Sequence, residues 1–156
     1  MRVVELRKEY GLGFNVWVVG VRGSWRETLD EISYSERWSV PARASEGDLV
    51  LYYSTAPDSC IRNIFRLAGR VAYARARWKS GMDWFAPIRR VCSLKCPVHL
   101  EELRNDPIAG RAGFVRASML GRNRVTPHWP RLLAIILDRN PGLKRIFAKY
   151  GPERIA

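Results

Sequence analysis

Apolar residues fall in short, sharply bounded runs separated by turn chemistry. Residues 14–21 (FNVWVVGV) and 49–53 (LVLYY) are rich in β-branched and aromatic side chains, are bounded by glycine or a Gly-Asp turn, and read as buried strands. Residues 69–78 alternate: Arg70, Ala72, Ala74 and Ala76 fall on one face, and Val71, Tyr73, Arg75 and Arg77 on the other, as in a long strand. The alanines make helix the competing reading. Further strands are expected over 86–94 and, briefly, over 112–117. Residues 1–13 read as a lead-in ending in a Gly-Leu-Gly turn, and 54–59 and 79–83 as loops.

Helices are set by their ends. Ser24, with Glu27 three residues on, has the spacing of a capping box and opens a helix to about Ile32. Residues 34–41 read as irregular, because Pro41 disfavours helix at Val40. Pro97 begins a helix to about Arg104, with Glu101 and Glu102 near its start, and Asp106-Pro107 stops it. Pro127, Trp129 and Pro130 introduce a helix to about Arg139; its Leu132, Leu133, Ile135, Ile136 and Leu137 leave little polar face, so it packs on the sheet. Asn140-Pro141-Gly142 breaks it, and a basic helix follows over 143–150. The fold class is α+β: a curved mixed sheet or small open β-barrel of five to six strands with short helices packed around it. Residues 1–156 form a single domain, with a core over about 14–139 and a helical extension over 140–156. A chain of 156 residues buries about 70% of the surface its unfolded form exposes, so neither a disulfide nor a metal is required for stability.

Charge changes this picture. The net charge is +12, and nearly all of it is arginine, with lysine only at Lys8, Lys79, Lys95, Lys144 and Lys149. Residues 1–59 carry net −2, residues 60–90 net +7 and residues 91–156 net +7, which implies a basic face built from the middle and end of the chain. Arginine pairs bidentately with phosphate and stacks on rings, so an anionic partner such as nucleic acid is expected. The competing reading is a thermophile that uses arginine for surface ion pairs. Three cysteines give no disulfide framework, the N-terminus lacks a secretion pattern, and no apolar run approaches the roughly 18 residues of a membrane helix, so a cytoplasmic location is expected.

Of six tryptophans, Trp25, Trp38, Trp78 and Trp84 fall in expected loops or element ends, while Trp17 and Trp129 read as core. A base stacked on such a ring gains about 1–3 kcal/mol. Phosphate contacts would come from Arg66, Arg70, Arg75, Arg77, Lys79, Arg89 and Arg90; the competing reading, and the stronger one for any single residue, is a solvated or ion-paired surface group. Cys92, Cys96 and His99, with Cys60 or His128 as a fourth ligand, invite a zinc reading, but no CxxC pair exists and free cysteines commonly fill cores. No metal or cofactor is expected. Catalytic motifs such as GxSxG, HExxH and the P-loop are absent, and Gly11-Leu-Gly13 is too short to cradle a phosphate.

The order of a strand bearing Trp17, then Trp38-Ser39, then Gly47-Asp48 leading into an apolar strand, resembles the EVE domain family of the PUA-like nucleic-acid readers, related to YTH and ASCH domains. The resemblance spans most of residues 14–139. It implies an aromatic cage for a flipped, methylated base, with no reaction of its own. On this resemblance Trp38 would be one wall of the pocket and Trp78 or Trp84 the other, with Trp25 also in the pocket. Ser39, Asn15, Arg22 and Ser24 supply polar atoms. The Ser-Asn pair of eukaryotic YTH proteins is missing, so their N6-methyladenine preference does not carry over. A nuclease or motor partner is compatible with this reading. Three alternatives remain: a general PUA-type RNA-binding accessory protein without modification preference, an ASCH-like hydrolase using Asp83, Lys79 and Tyr53, and a protein-interaction domain.

Overall fold

The structure, a computed structural model, describes residues 13–76, 80–116 and 119–150, apart from the side chains of Gly23 and Ser24. Among these residues the chain forms one seven-stranded mixed sheet and five α-helices. The strands are β1 (Val16–Val21), β2 (Tyr34–Ser39), β3 (Leu49–Ser54), β4 (Cys60–Leu67), β5 (Ala72–Arg75), β6 (Met82–His99) and β7 (Arg122–Arg124). The helices are α1 (Gly23–Glu31), α2 (Leu100–Asn105), α3 (Gly113–Arg116), α4 (Trp129–Arg139) and α5 (Lys144–Phe147), with 3-10 turns on either side of α5. The α+β class holds, with a sheet larger than the expected five to six strands.

Strand order is β2-β6-β4-β3-β1-β7, with β5 joined to β6 beside β4. Only β1 and β3 run parallel; the other pairs are antiparallel. β6 is the spine: its 18 residues pair with β5 at the start, with β2 in the middle and with β4 toward the end.

The two apolar runs seen in the sequence are β1 and β3, and both are buried on two faces because each face has its own cover. Val16, Val18, Leu49, Leu51 and Ile64 pack under Trp129, Leu132, Leu133 and Ile136 of α4. On the other face Trp17, Val19, Val50, Tyr52, Phe65 and Ile88 pack with Leu29 of α1. Fully burying a side chain such as Leu51 contributes about 1.5–3 kcal/mol over leaving it exposed. Gly20 allows the chain to cross β1: its amide donates to Gly121 O at 3.1 Å, and a Cβ there would sit 2.5 Å from the Leu120 carbonyl oxygen.

Several expectations are corrected. Residues 34–39 form a strand, since pairing with β6 satisfies their backbone despite the polar sequence. The strand expected over 86–94 extends through Pro97 to His99, held by Ile61–Val98 and Cys60–His99 pairing, so the helix starts at Leu100. Within the described part of the strand expected over 69–78 only Ala72–Arg75 is strand, and the run expected over 112–117 contains a helical turn, α3. Helix α1 begins at Gly23, with Arg22 in the cap position and no side-chain cap bond. Segment 143–150 is α5 joined to a 3-10 turn, Ala148–Tyr150. The lead-in at 1–12 and residues 77–79 lie outside the described residues.

Candidate nucleic-acid interface

The Gly47-Asp48 turn holds the base of the sheet. Gly47 takes φ +92°, which a side chain would strain. Asp48 is 2% exposed and accepts from Asn15 N at 2.9 Å, Trp17 Nε1 at 3.0 Å and Ser45 N at 2.9 Å, tying the turn to β1. Burial pushes its carboxyl above the ordinary carboxylate value, and these donors and Arg124 pull against that. Asn15 is part of the same structural knot: its side-chain oxygen accepts from Arg124 Nε and from Thr126 Oγ1, each at 2.8 Å. The sequence expectation of Asn15 on a pocket floor meets a buried side chain engaged within the fold.

Trp38 is half-buried on the α1 side of the sheet. It lies opposite Ala86 in the β2–β6 pairing, and Trp84, two residues from Ala86, points to the same face. Tyr73 pairs with Trp84, and their rings tilt at 37° with centroids 4.8 Å apart. Sheet alternation therefore gathers Trp38, Trp84 and Tyr73 on one face, near the start of β5, whose far end leads toward residues 77–79. Trp78, Arg77 and Lys79 fall in that segment, outside the described residues.

Trp25 of α1, 40% exposed, meets Trp38 edge-on at 5.9 Å and 90°, and Tyr52 meets it at 6.3 Å and 71°. Perpendicular rings leave no parallel slot between Trp25 and Trp38, so Trp25 braces Trp38 instead of facing it as a second wall. The fully buried Tyr52 hydroxyl makes no hydrogen bond with a described residue. Burial raises its pKa well beyond the usual phenol range, with Arg122 pulling the other way.

Beside Trp38, the two edge strands of the curled sheet are joined by a side chain. Arg122 of β7 donates to both Asp83 oxygens at 3.0 Å, to Val40 O at 2.9 Å and to the Ser39 hydroxyl. Ser39 donates to Asp83 Oδ2 at 2.8 Å, and the Trp84 amide donates to Asp83 Oδ1 at 2.8 Å. Burial disfavours the Asp83 charge, but Arg122, Ser39 and the Trp84 amide outweigh it and hold the carboxyl well below the usual carboxylate range. The Ser39 hydroxyl is thus committed to this clasp, and Asp83 is an ion-pair partner within β6 and not part of an exposed loop.

The arginines expected on the phosphate backbone divide. Arg90 turns toward α1: its Nε donates to Ile32 O at 2.9 Å and its Nη1 to Asn63 Oδ1 at 2.7 Å, so it works inside the fold. Arg70 is exposed and, with Arg37, lines a cleft of about 720 Å³ between β2 and β5. Arg75 is exposed, and its carbonyl accepts from Arg37. Arg66 and Arg89 pair across β4 and β6 on the face opposite Trp38, and Arg22 is exposed just before α1. Cys92 is buried, its thiol pushed up to about 11 by burial, and Cys96 is exposed. Among the described residues no three His, Cys, Asp or Glu side chains gather to hold a metal, and no helix is long and apolar enough to cross a membrane.

Sequence reasoning missed Tyr52 as a neighbour of Trp38, Tyr73 as a neighbour of Trp84 and Arg122 as the partner of Ser39 and Asp83. The alternation over 69–78 carried the signal for Tyr73. Nothing local marked Arg122, which acts 83 residues from Ser39.

No family model and no curated protein matches the sequence. Solved structures do match. Rpa0253 from Rhodopseudomonas palustris is 21% identical, with TM-score 0.60 over 78% of this chain and 92% of its own. A protein from Leishmania major is 12% identical, with TM-score 0.64 over 81% of this chain and 97% of its own. Atu2648 from Agrobacterium tumefaciens is 15% identical, with TM-score 0.53 over 91% of this chain and 99% of its own. What the chain shares with these proteins is a fold.

Proposed function

We propose that the protein is a PUA-like reader of the EVE kind: it binds nucleic acid, holds one flipped, methylated base against Trp38, and catalyses no reaction. The observation that carries this reading is the gathering of half-buried Trp38 and Trp84 with exposed Tyr73 on one face of the sheet, in a protein of net charge +12. An aromatic surface flanked edge-on by Trp25 and Tyr52 is held in place, which lowers the ordering cost of stacking. Trp84 is the favoured second ring. A buried methyl group adds about 0.8 kcal/mol, and a shaped pocket discriminates one methyl by about 1–3 kcal/mol, enough for a preference between modified and unmodified strands. A cytoplasmic location and action alongside a separately encoded nuclease or motor belong to the same reading.

The test is titration of methylated and unmodified DNA and RNA oligonucleotides, followed by tryptophan quenching. A preference of roughly tenfold or more for one methylated oligonucleotide is expected, and Trp38→Ala should abolish it. Unchanged binding and preference in Trp38→Ala would mean that the base sits elsewhere or that no base is read.

A further inference from the structure

On the face of the sheet opposite Trp38, a cleft of about 560 Å³ runs between β4 and β6 on one side and the C-terminal α5 segment on the other. Arg66 and Arg89 line one wall and Arg145 and Lys149 the other, and among the described residues no acidic side chain lines the cleft. Arg66 and Arg89 are direct cross-strand partners. Like charges in that position, with Cβ atoms about 4.5–5.5 Å apart, oppose sheet formation.

Elsewhere among the described residues some arginines are neutralised, while others, such as Arg70 and Arg75, stand exposed. Arg26, Arg62, Arg122, Arg131 and Arg139 each pair with a carboxylate, on Asp58, Asp30, Asp83, Asp106 and Glu102 respectively. Among the described residues no carboxylate pairs with Arg66, Arg89, Arg145 or Lys149. Arg89 instead lies over the Tyr34 ring at 5.0 Å, and Lys149 lies 5.5 Å from the Tyr150 ring. Four cations facing one another across a concave groove match a chain of phosphates. Arginine on one wall supplies the forked donors that phosphate accepts bidentately.

We propose that this cleft is a second nucleic-acid contact, holding the phosphodiester backbone of a strand without reading its bases. It rests on the nucleic-acid reading above, and it adds two residues from the chain's end, Arg145 and Lys149, to the contact set. Its chemistry is independent of base identity, whereas the Trp38 face depends on it.

The experiment is a salt titration of unmodified single-stranded oligonucleotide binding by fluorescence anisotropy, for wild type, Arg145→Gln/Lys149→Gln and Trp38→Ala. Arg145 and Lys149 are exposed, so the double variant should keep the wild-type melting temperature. Loss of two phosphate contacts should flatten the log–log salt slope by about 1.4 and weaken binding to every sequence. Between about 50 and about 200 mM salt, wild type should then lose roughly sevenfold more affinity than the double variant. Trp38→Ala should keep the wild-type slope. A double variant with wild-type slope and affinity overturns the cleft and leaves the Trp38 reading intact. A flattened slope with no methyl preference in wild type overturns the Trp38 reading and leaves the cleft standing. Binding to anionic lipid vesicles with none to oligonucleotide overturns the assignment to a nucleic-acid strand.

Discussion

The Arg122–Asp83 clasp offers the sharpest test of how the sheet is held in its curve. β2 and β7 are the two edges of the strand order, yet Arg122 of β7 reaches Val40 O, Ser39 and both oxygens of Asp83. The Asp83 side chain is 8% exposed and that of Arg122 34%, so the pair stands between two regimes. Surface pairs contribute at most about 1 kcal/mol, and breaking a buried pair costs about 3–5 kcal/mol. Discounted for the solvent that reaches Arg122, Arg122→Ala should cost about 2 kcal/mol. For a chain of this size that is a fall in melting temperature of roughly 4–8 °C. Arg122→Lys should recover less than half, because an ammonium cannot span both carboxylate oxygens and the Val40 carbonyl. The assay is urea unfolding followed by tryptophan fluorescence, run as a double-mutant cycle with Asp83→Ala. The pH dependence supplies a second reading. Asp83 is held below its unfolded value of about 3.9, so its contribution is complete above that pH and is lost as pH falls toward the folded-state value. Wild type should therefore lose more stability than Asp83→Ala on acidification below about pH 5. A coupling energy under about 0.5 kcal/mol, with parallel acid profiles, would show that the clasp is an ordinary surface pair.

Other expectations follow from the same structure. Tyr52→Phe removes a buried hydroxyl that lacks a described partner, and should leave stability unchanged or raise it by up to about 1 kcal/mol; a loss would reveal a hidden acceptor or donor. Asp48→Ala strands the amides of Asn15 and Ser45 and the Trp17 indole N–H, and should cost about 3 kcal/mol or more in urea unfolding; a cost under about 1 kcal/mol would disprove the knot. In native protein, DTNB should titrate Cys96 rapidly, with Cys60 and Cys92 reacting only after unfolding; rapid native modification of all three would contradict their burial.

How far the sequence could be read depended on whether the deciding interaction was local. β1 and β3 were legible because burial on two faces demands an unbroken run of valine, leucine and tyrosine, and α4 because Pro130 and five large apolar residues mark its start and its face. β2 was not, since YSERWS carries no apolar alternation and becomes a strand only through its pairing with β6. Pro97 misled for a related reason: proline favours a helix start, but pairing of Val98 and His99 with β4 keeps the strand going past it. At the candidate site Trp38 and Trp84 were visible as aromatic residues, and their shared face depends on a register that no short window contains. The phosphate-contact set was drawn from composition, which counts charges but does not show which are neutralised: Arg90 is engaged inside the fold, while Arg145 and Lys149 complete a cleft with Arg66 and Arg89.

β6 carries Trp84 on one face and, five residues on, Arg89 on the other. At about 3.3 Å per residue these positions lie roughly 16 Å apart along the strand. A strand that stays stacked, with bases about 3.4 Å apart, would need about five nucleotides to match that distance, and more to round the sheet. On the proposed reading, shorter stacked oligomers would engage one end only, and plotting affinity against oligomer length should give a step instead of a smooth rise.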